Sequence, residues 1–524
     1  MLIKISFLLV FFAVMITVGF MCRKSSTDVH GFVLGGRSVG PWLTAFAYGT
    51  SYFSAVIFIG YAGQFGWKYG VASTWIGIGN ALIGSLLAWV ILGRRTRLMT
   101  QKLESRTMPE FFGQRFDSKA LKLTASAIVF IFLIPYTASL YNGLSRLFES
   151  AFGIDYAWCV LLMSILTGIY VIAGGYMATA VNDFIQGIVM LFGIVAVIAA
   201  VLNSNGGFTE AVAALSKIEA ETNPGLSGAF VSFLGPKPLE LFGVVLLTSL
   251  GTWGLPQMVG KFYAIKNEDA IAKGTIISTF FAIVVAGGCY FLGGFGRLYG
   301  DSITYGANGA PVYDSIVPQM LSGLPDVIVA IVIILVLSAS MSTLSSLVLT
   351  SSSTLTLDMI VPLSKKSMDE KKKMLCIRVL IVFFIVISAA IAILQAKSQV
   401  TFIAQLMGIS WGALAGAFLA PFLWGLYSKK ITKSAVWASF VTGVGIMLAN
   451  MACTFAGVPF ISAYFSSPIN AGVLSMVAGL IIVPVVSLFT KKMDSKMVDD
   501  MFECYDRTIT VRASTSLEDT KDNK

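Results

Sequence analysis

Charge is scarce in this chain. Only 12% of its 524 residues are Asp, Glu, Lys or Arg, about half of what a soluble domain carries. Histidine is almost missing. The single His30 stands in a polar stretch, which excludes a histidine-based metal centre or a buried Ser-His relay by count. Cysteine is sparse and unpatterned. Cys22, Cys159, Cys289, Cys376, Cys453 and Cys504 include no C-x-x-C pair and fall mostly in apolar runs, so they read as small hydrophobes and not as a disulfide or metal framework. No buried acid–base pair or nucleophile–base arrangement stands out, which argues against an enzyme.

What the chain has is apolar length: 56% of its residues are hydrophobic. At about 20 residues per spanning helix, thirteen apolar segments can be counted, and the expected fold is an all-α polytopic membrane protein. The run from Met1 to Cys22 lacks a cleavage site before Arg23 and reads as a first spanning helix, not a signal peptide. The net charge of +10 would suit nucleic acid in a soluble protein. Here most Lys and Arg fall in alternate loops: Arg23, Lys24 and Arg37, the densest cluster from Arg94 to Lys122, Lys261 with Lys266 and Lys273, and five from Lys365 to Lys373, while the loops 202–238 and 300–324 on the other side are long and polar. The positive-inside rule then places the N-terminus outside and the C-terminus in the cytoplasm, with lipid, not nucleic acid, as the partner. No obligate protein partner is evident.

Three features carry chemistry. Asp183, in Val181-Asn182-Asp183-Phe184-Ile185-Gln186, is a carboxylate inside the sixth segment. Such a group costs several kcal/mol unless paired. No Lys or Arg is expected at its depth, so a cation from solution is the expected partner. In the ninth segment, Ser338-Ala339-Ser340-Met341-Ser342-Thr343-Leu344-Ser345-Ser346 puts hydroxyls at 342, 345 and 346 on one helix face. Oxygen-only ligands suit a hard cation, although such hydroxyls also bond back to their own helix. Finally, Tyr48-Gly49-Thr50-Ser51 and Leu250-Gly251-Thr252-Trp253-Gly254-Leu255-Pro256 are glycine-centred weak points five segments apart. Each opens a five-helix block, the layout of an inverted-repeat carrier with helices broken at the midplane.

These residues, with Phe32-Val33-Leu34-Gly35-Gly36-Arg37-Ser38, Gly174 to Gln186 and Arg146-Leu147-Phe148-Glu149, resemble the sodium/solute symporter family, and within it the sodium/proline carriers most. The resemblance implies a 5+5 core with broken helices 2 and 7. Its expected divisions are 1–40 (first helix and inner loop), 41–201 (repeat one), 202–238 (outer loop), 239–426 (repeat two), 427–490 (two accessory helices) and 491–524 (cytoplasmic tail). It implies one sodium held by carbonyls of Thr50, Phe53 and Ala339 and hydroxyls of Ser342 and Thr343, and a second sodium set of Asp183, Ser342, Ser345 and Ser346. Arg37 falls at the family's inner mouth.

Tyr136 matches a solute-pocket tyrosine. The sequence departs from the proline carrier at Tyr52, Thr248 and Thr252. A pocket of Tyr48, Tyr136, Thr252, Trp253 and Gln257 is expected, with aromatic walls and few polar groups. The implied activity is sodium-driven import across a bacterial inner membrane, with no cofactor beyond the coupling ion. Proline is the best-fitting solute. A monocarboxylate, pantothenate, sialic acid or a sugar are alternatives, and a membrane sensor built on the same scaffold is a rival of another class.

Overall fold

A computed structural model describes residues 2–22, 28–220, 227–303, 305, 311–364, 367–398 and 403–506. Arg23, Lys24, Lys365, Lys366, parts of the loops 202–238 and 300–324, the tail after 506 and the Arg146 side chain, all weighed above, lie outside the described residues.

Helices dominate. Among the described residues, ten are long and apolar enough to cross a membrane, eleven with one bent pair. Thirteen is therefore not reached by length and composition alone. Two of the long helical runs are interrupted at a glycine. The helix Val56–Lys102 runs 47 residues, roughly 70 Å at the ordinary rise and more than twice a hydrocarbon core. It is interrupted at Gly70, whose φ is +62°. The helical run Tyr156–Ser204 is likewise folded at Gly175, with φ +55°. A side chain at Gly175 would meet Phe32 at 2.7 Å, so both backbone angle and space require glycine there.

The elements that position the site are α1 (Leu2–Met21), α2 (Pro41–Tyr52), α3 (Met108–Arg115), α4 (Lys119–Phe152), α5 (Tyr156–Ser204), α6 (Pro238–Leu250), α7 (Pro256–Tyr263), α8 (Asp326–Thr354), α9 (Ile403–Tyr427) and α10 (Ser495–Phe502). Their starts follow local chemistry. Pro41, Pro238 and Pro256 stand in first turns, where a missing N–H costs nothing. Thr107 and Ser118 cap α3 and α4 by accepting from Glu110 and Leu121 N–H groups.

Helix α8 is the centre. It packs against α5, α4, α1 and α2. The span that contains it is 78% buried over its most apolar window, against 17% for α1 and 33% for the last two spans, which face outward. In α8 even the Ser and Thr residues from 338 to 346 are buried. A helix buried on all sides needs no amphipathic stripe, so its hydroxyls must find partners inside the protein.

Both expected helix breaks exist, but one is displaced. After α6 a tight turn, Gly251–Gly254, leads to Leu255 in an extended conformation, and α7 leaves at 47°. Pro256 drives this, because a residue before proline is pushed out of the helical region. In the other block the weak point was expected at Tyr48–Ser51. Helix α2 instead runs on through Tyr52 and ends at Phe53, φ −87° and ψ 127°. Gly49 serves packing: a side chain there would meet the Phe281 ring at 2.5 Å. At the C-terminal end, α10 docks back on the loops through Asp500–Lys102 (2.8 Å) and Asp499–Lys429 (2.6 Å) ion pairs and through Phe502 under Arg115.

Candidate functional site

The break at Phe53 ends a helix in the protein interior, which leaves backbone carbonyls without intrahelical partners. Helix α8 supplies hydroxyls to them. Ser342 Oγ donates to Thr50 O at 2.9 Å and lies 3.1 Å from Ala339 O. Thr343 Oγ1 lies 3.3 Å from Thr50 O, 3.4 Å from Ser51 O, 3.2 Å from Phe53 O and 3.1 Å from Ala339 O. All five residues of the first expected ion set thus converge, and Ser51 joins them. The donor set is oxygen only and buried, with each hydroxyl facing several carbonyls that it can satisfy only one at a time. That chemistry fits a small hard cation.

One helical turn further along α8 the arrangement changes. Lys261, expected in an inner loop, is buried near the end of α7. Its Nζ lies 3.6 Å from Asp183 Oδ2, with side chains 4% and 0% exposed, and donates to Ser346 Oγ at 3.0 Å. The expectation that no Lys or Arg shares the depth of Asp183 is therefore corrected. Helix α7 is only eight residues long, so its last turn still sits inside the bundle. Ser346 also meets Ser51 Oγ at 2.9 Å. A continuous polar chain results: Asp183, Lys261, Ser346, Ser51 and then the Thr343 cluster. Of the second expected set, Asp183 and Ser346 flank Lys261, Ser342 belongs to the first cluster, and Ser345 donates to Ser342 O at 2.9 Å.

A cavity of about 50 Å³ approaches this chain, lined by Arg106, Tyr176, Gln257, Lys261, Ser346 and Thr350 among others. One water needs about 10–15 Å³ on the same measure, so several waters fit. Its mouth is held by a charged network. Lys122 bridges Glu110 (3.5 Å) and Asp358 (3.2 Å), Arg106 pairs with Glu110 at 3.3 Å, and Thr107 donates to Asp358. Burial pushes the Glu110 carboxyl up, but Arg106 and Lys122 outweigh it and hold the group below its ordinary value. Arg37 follows two glycines, and all three residues have positive φ. Its guanidinium clamps the carbonyls of Thr100 (3.2 Å), Ser105 (2.7 Å) and Tyr263 (3.1 Å), fixing the loop before α2 to the end of α7.

The five expected solute-pocket residues do not form one group. Tyr48 donates to Gly84 O at 2.7 Å and packs on Trp89 and Phe262. Trp253 donates to Ile83 O at 3.0 Å, and Thr252 to Ser249 O at 2.8 Å. Tyr48 thus ties α2, and Trp253 with Thr252 (Oγ1 3.4 Å from Gly84 O) ties the α6–α7 turn, to the helix Val56–Lys102. Gln257 lines the cavity beside Lys261. Tyr136 belongs to a different cluster, against Trp411 (5.9 Å, edge-on), which also meets Tyr52 at 5.9 Å. There the buried Tyr136 hydroxyl faces Ser54 and Trp411, Tyr52 faces Thr248, and Tyr290 faces Asn80, but none of these contacts has the geometry of a full hydrogen bond. Asn80 Oδ1 accepts from Thr248 and Ser249, both at 3.0 Å. Loosely paired buried donors at this density leave capacity for a polar ligand or water. Asn80 and Trp411 were missed. The available signal was a lone side-chain amide in an otherwise apolar segment.

Buried broken helices around an oxygen-only cluster have the layout of a membrane carrier. Residues 32–443 match the family model described as the sodium:solute symporter family. The chain belongs to that family, and sodium-coupled symport of a small solute is its activity. Among curated relatives, it is 27% identical over 488 residues to the osmoregulated proline transporter of Bacillus subtilis, covering 92% of this chain and 94% of that one. It is 29% identical over 451 residues to the sodium/proline symporter of Staphylococcus aureus, covering 84% and 85%. Among solved structures, a Na+-coupled sialic acid symporter in a substrate-bound, outward-open state superposes with TM-score 0.72 at 17% identity, over 94% of this chain and 99% of that one. That similarity is one of fold.

Proposed function

We propose that this protein imports proline, or a closely similar small zwitterion, together with sodium bound at Thr50, Phe53, Ala339, Ser342 and Thr343. The observation that carries the reading is the convergence of those oxygens where α2 breaks against α8. Relatives named for proline, at 27% and 29% identity over most of the chain, support the choice of solute. The Tyr52–Tyr136–Trp411 cluster is the solute site. Its rings offer apolar walls and its loosely held hydroxyl and indole donors suit a carboxylate.

In this reading the chain spans a bacterial inner membrane thirteen times. The turns at Gly70 and Gly175 divide the long helices, the breaks at Phe53 and Leu255 mark the two inverted repeats, and the N-terminus is outside. Sodium draws the end of α2 onto α8 and so stabilises the form that accepts solute. The cavity beside Lys261 and Ser346 is the inner exit. One sodium crossing ~100 mV supplies about 2.3 kcal/mol, and a roughly tenfold gradient adds ~1.4 kcal/mol. Together these support accumulation of a neutral solute by about 500-fold.

The test is uptake of labelled proline into proteoliposomes under inward sodium, potassium or choline gradients. Monocarboxylates, pantothenate, sialic acid and sugars serve as competitors. Sodium-only accumulation blocked by unlabelled proline supports the reading. Sodium-driven uptake blocked only by another solute would reassign the substrate. No sodium dependence with any solute would remove it.

A further inference from the structure

Helix α8 carries two cation niches one turn apart, and the second already contains a cation. We propose that the Lys261 ammonium is a tethered replacement for a second sodium ion, which limits this carrier to one sodium per solute. The inference rests on the sodium-coupled reading above and sharpens its stoichiometry.

Three observations support it. First, the position of Lys261 Nζ is that of a ligated ion: it touches Asp183 Oδ2 at 3.6 Å and Ser346 Oγ at 3.0 Å. It also lies over the Tyr176 ring at 5.3 Å, a contact that favours a positive charge. Second, the carboxylate is otherwise bare. Neither Asp183 oxygen has a hydrogen-bond partner among the described residues, so its charge is balanced by the ammonium and not by hydroxyls. Third, Ser345, which a second sodium would use, is turned to the carbonyl of its own helix. A sodium ion entering here would sit within the same few ångströms as a fixed positive charge, at a depth where like-charge repulsion is weakly screened.

The lysine also has a route for movement. It stands at the wall of the inner cavity, on a short half-helix hinged at Leu255. When α7 shifts, the ammonium moves with it, whereas a free ion would be lost to the cytoplasm. The charge therefore completes the niche in each cycle without crossing the membrane, and only the ion at Ser342 and Thr343 adds to the driving force.

The experiment measures equilibrium accumulation of labelled proline in proteoliposomes at zero membrane potential, across a series of sodium gradients. The slope of log accumulation against log gradient is the number of sodium ions moved. A slope of one is expected for the natural protein, two for Lys261→Met, and one again for Asp183→Asn combined with Lys261→Met. A slope of two in the natural protein overturns the proposal, as does a slope of one in a folded Lys261→Met variant. If Lys261→Met does not survive purification, the natural protein and the double variant still decide: two in either overturns it, and one in both sustains it. A slope of zero in the natural protein is a separate result, since it removes sodium coupling itself.

Discussion

The two niches on α8 use the same helix and the same serine-rich stretch, one turn apart, yet they solve opposite problems. At Ser342 and Thr343, hydroxyls face a surplus of carbonyl oxygens and no fixed positive charge. At Ser346, a carboxylate and a lysine already balance each other. In the proposed reading the first niche is completed by an ion, and the second by its own side chain. A neutral oxygen cluster can gain and lose a cation cheaply, because neither state strands a charge. A buried carboxylate cannot be left alone in that way. Placing the exchangeable ion in the first niche and the fixed one in the second follows from that difference.

The largest expected effect comes from unbalancing the complete niche. Asp183→Asn keeps the shape but leaves the Lys261 ammonium buried without its counter-charge. Breaking a buried pair on one side costs about 3–5 kcal/mol, so the purified variant should lose that much stability and melt well below its parent. Asp183→Asn combined with Lys261→Met removes both charges and should recover most of the loss. The double-mutant cycle then isolates the pair. A single variant as stable as the parent would mean that the lysine escapes to water through the inner cavity, and the contrast between the niches would fail.

The first niche was legible mainly through the family resemblance, which implies Thr50, Phe53, Ala339, Ser342 and Thr343 as a set. The local pattern put hydroxyls 342, 345 and 346 on one face, and of these only the Ser342 hydroxyl joins the cluster, in a helix buried along its whole central part. The break that feeds it was legible only in outline. Glycine marked the region, but the helix ends at Phe53, which is neither glycine nor proline; packing against Phe281 explains Gly49 instead. The complete niche was half visible. Asp183 stood out as a charge in an apolar run. Lys261 did not, because counting along a straight span put it at the membrane surface, and only the 47° bend at Leu255 holds it inside. The cluster proposed to hold the solute was least legible. Tyr52, Asn80, Tyr136 and Trp411 come from four separated segments, and no spacing within one segment brings them together.

The next effects fall on sodium alone. Ser342→Ala or Thr343→Ala removes one hydroxyl from the ion cluster. Each should raise the sodium concentration for half-maximal uptake by roughly tenfold, about 1.4 kcal/mol, with little change in stability. Unchanged sodium dependence in both would mean that the cluster only joins helices. Tyr136→Phe should act on the solute and leave sodium alone. Loss of one hydrogen bond of about 0.5–1.5 kcal/mol corresponds to a rise in half-saturating proline of about 2–10-fold. Because the Tyr136 hydroxyl makes only loose contacts with Ser54 and Trp411, phenylalanine should cost less than about 1 kcal/mol in stability. A purely structural tyrosine would leave solute affinity untouched.

The smallest effect is the sharpest discriminator. Ser345 lies between the niches, at i+3 from Ser342, and donates to the Ser342 carbonyl of its own helix. Back-bonding of this kind contributes little and slightly disfavours a helix. Ser345→Ala should therefore stay within about 0.5 kcal/mol of the parent in stability, and its sodium half-saturation should change by less than about twofold. The same substitution would act very differently if Asp183, Ser345 and Ser346 held a sodium ion. An ion ligand lost there would weaken sodium binding as strongly as Thr343→Ala and lower the steepness of the sodium curve. Measuring both variants side by side, over a full sodium titration, compares the niches directly. A flat response at Ser345 beside a tenfold shift at Thr343 leaves one exchangeable ion on α8, with the lysine in place of the other.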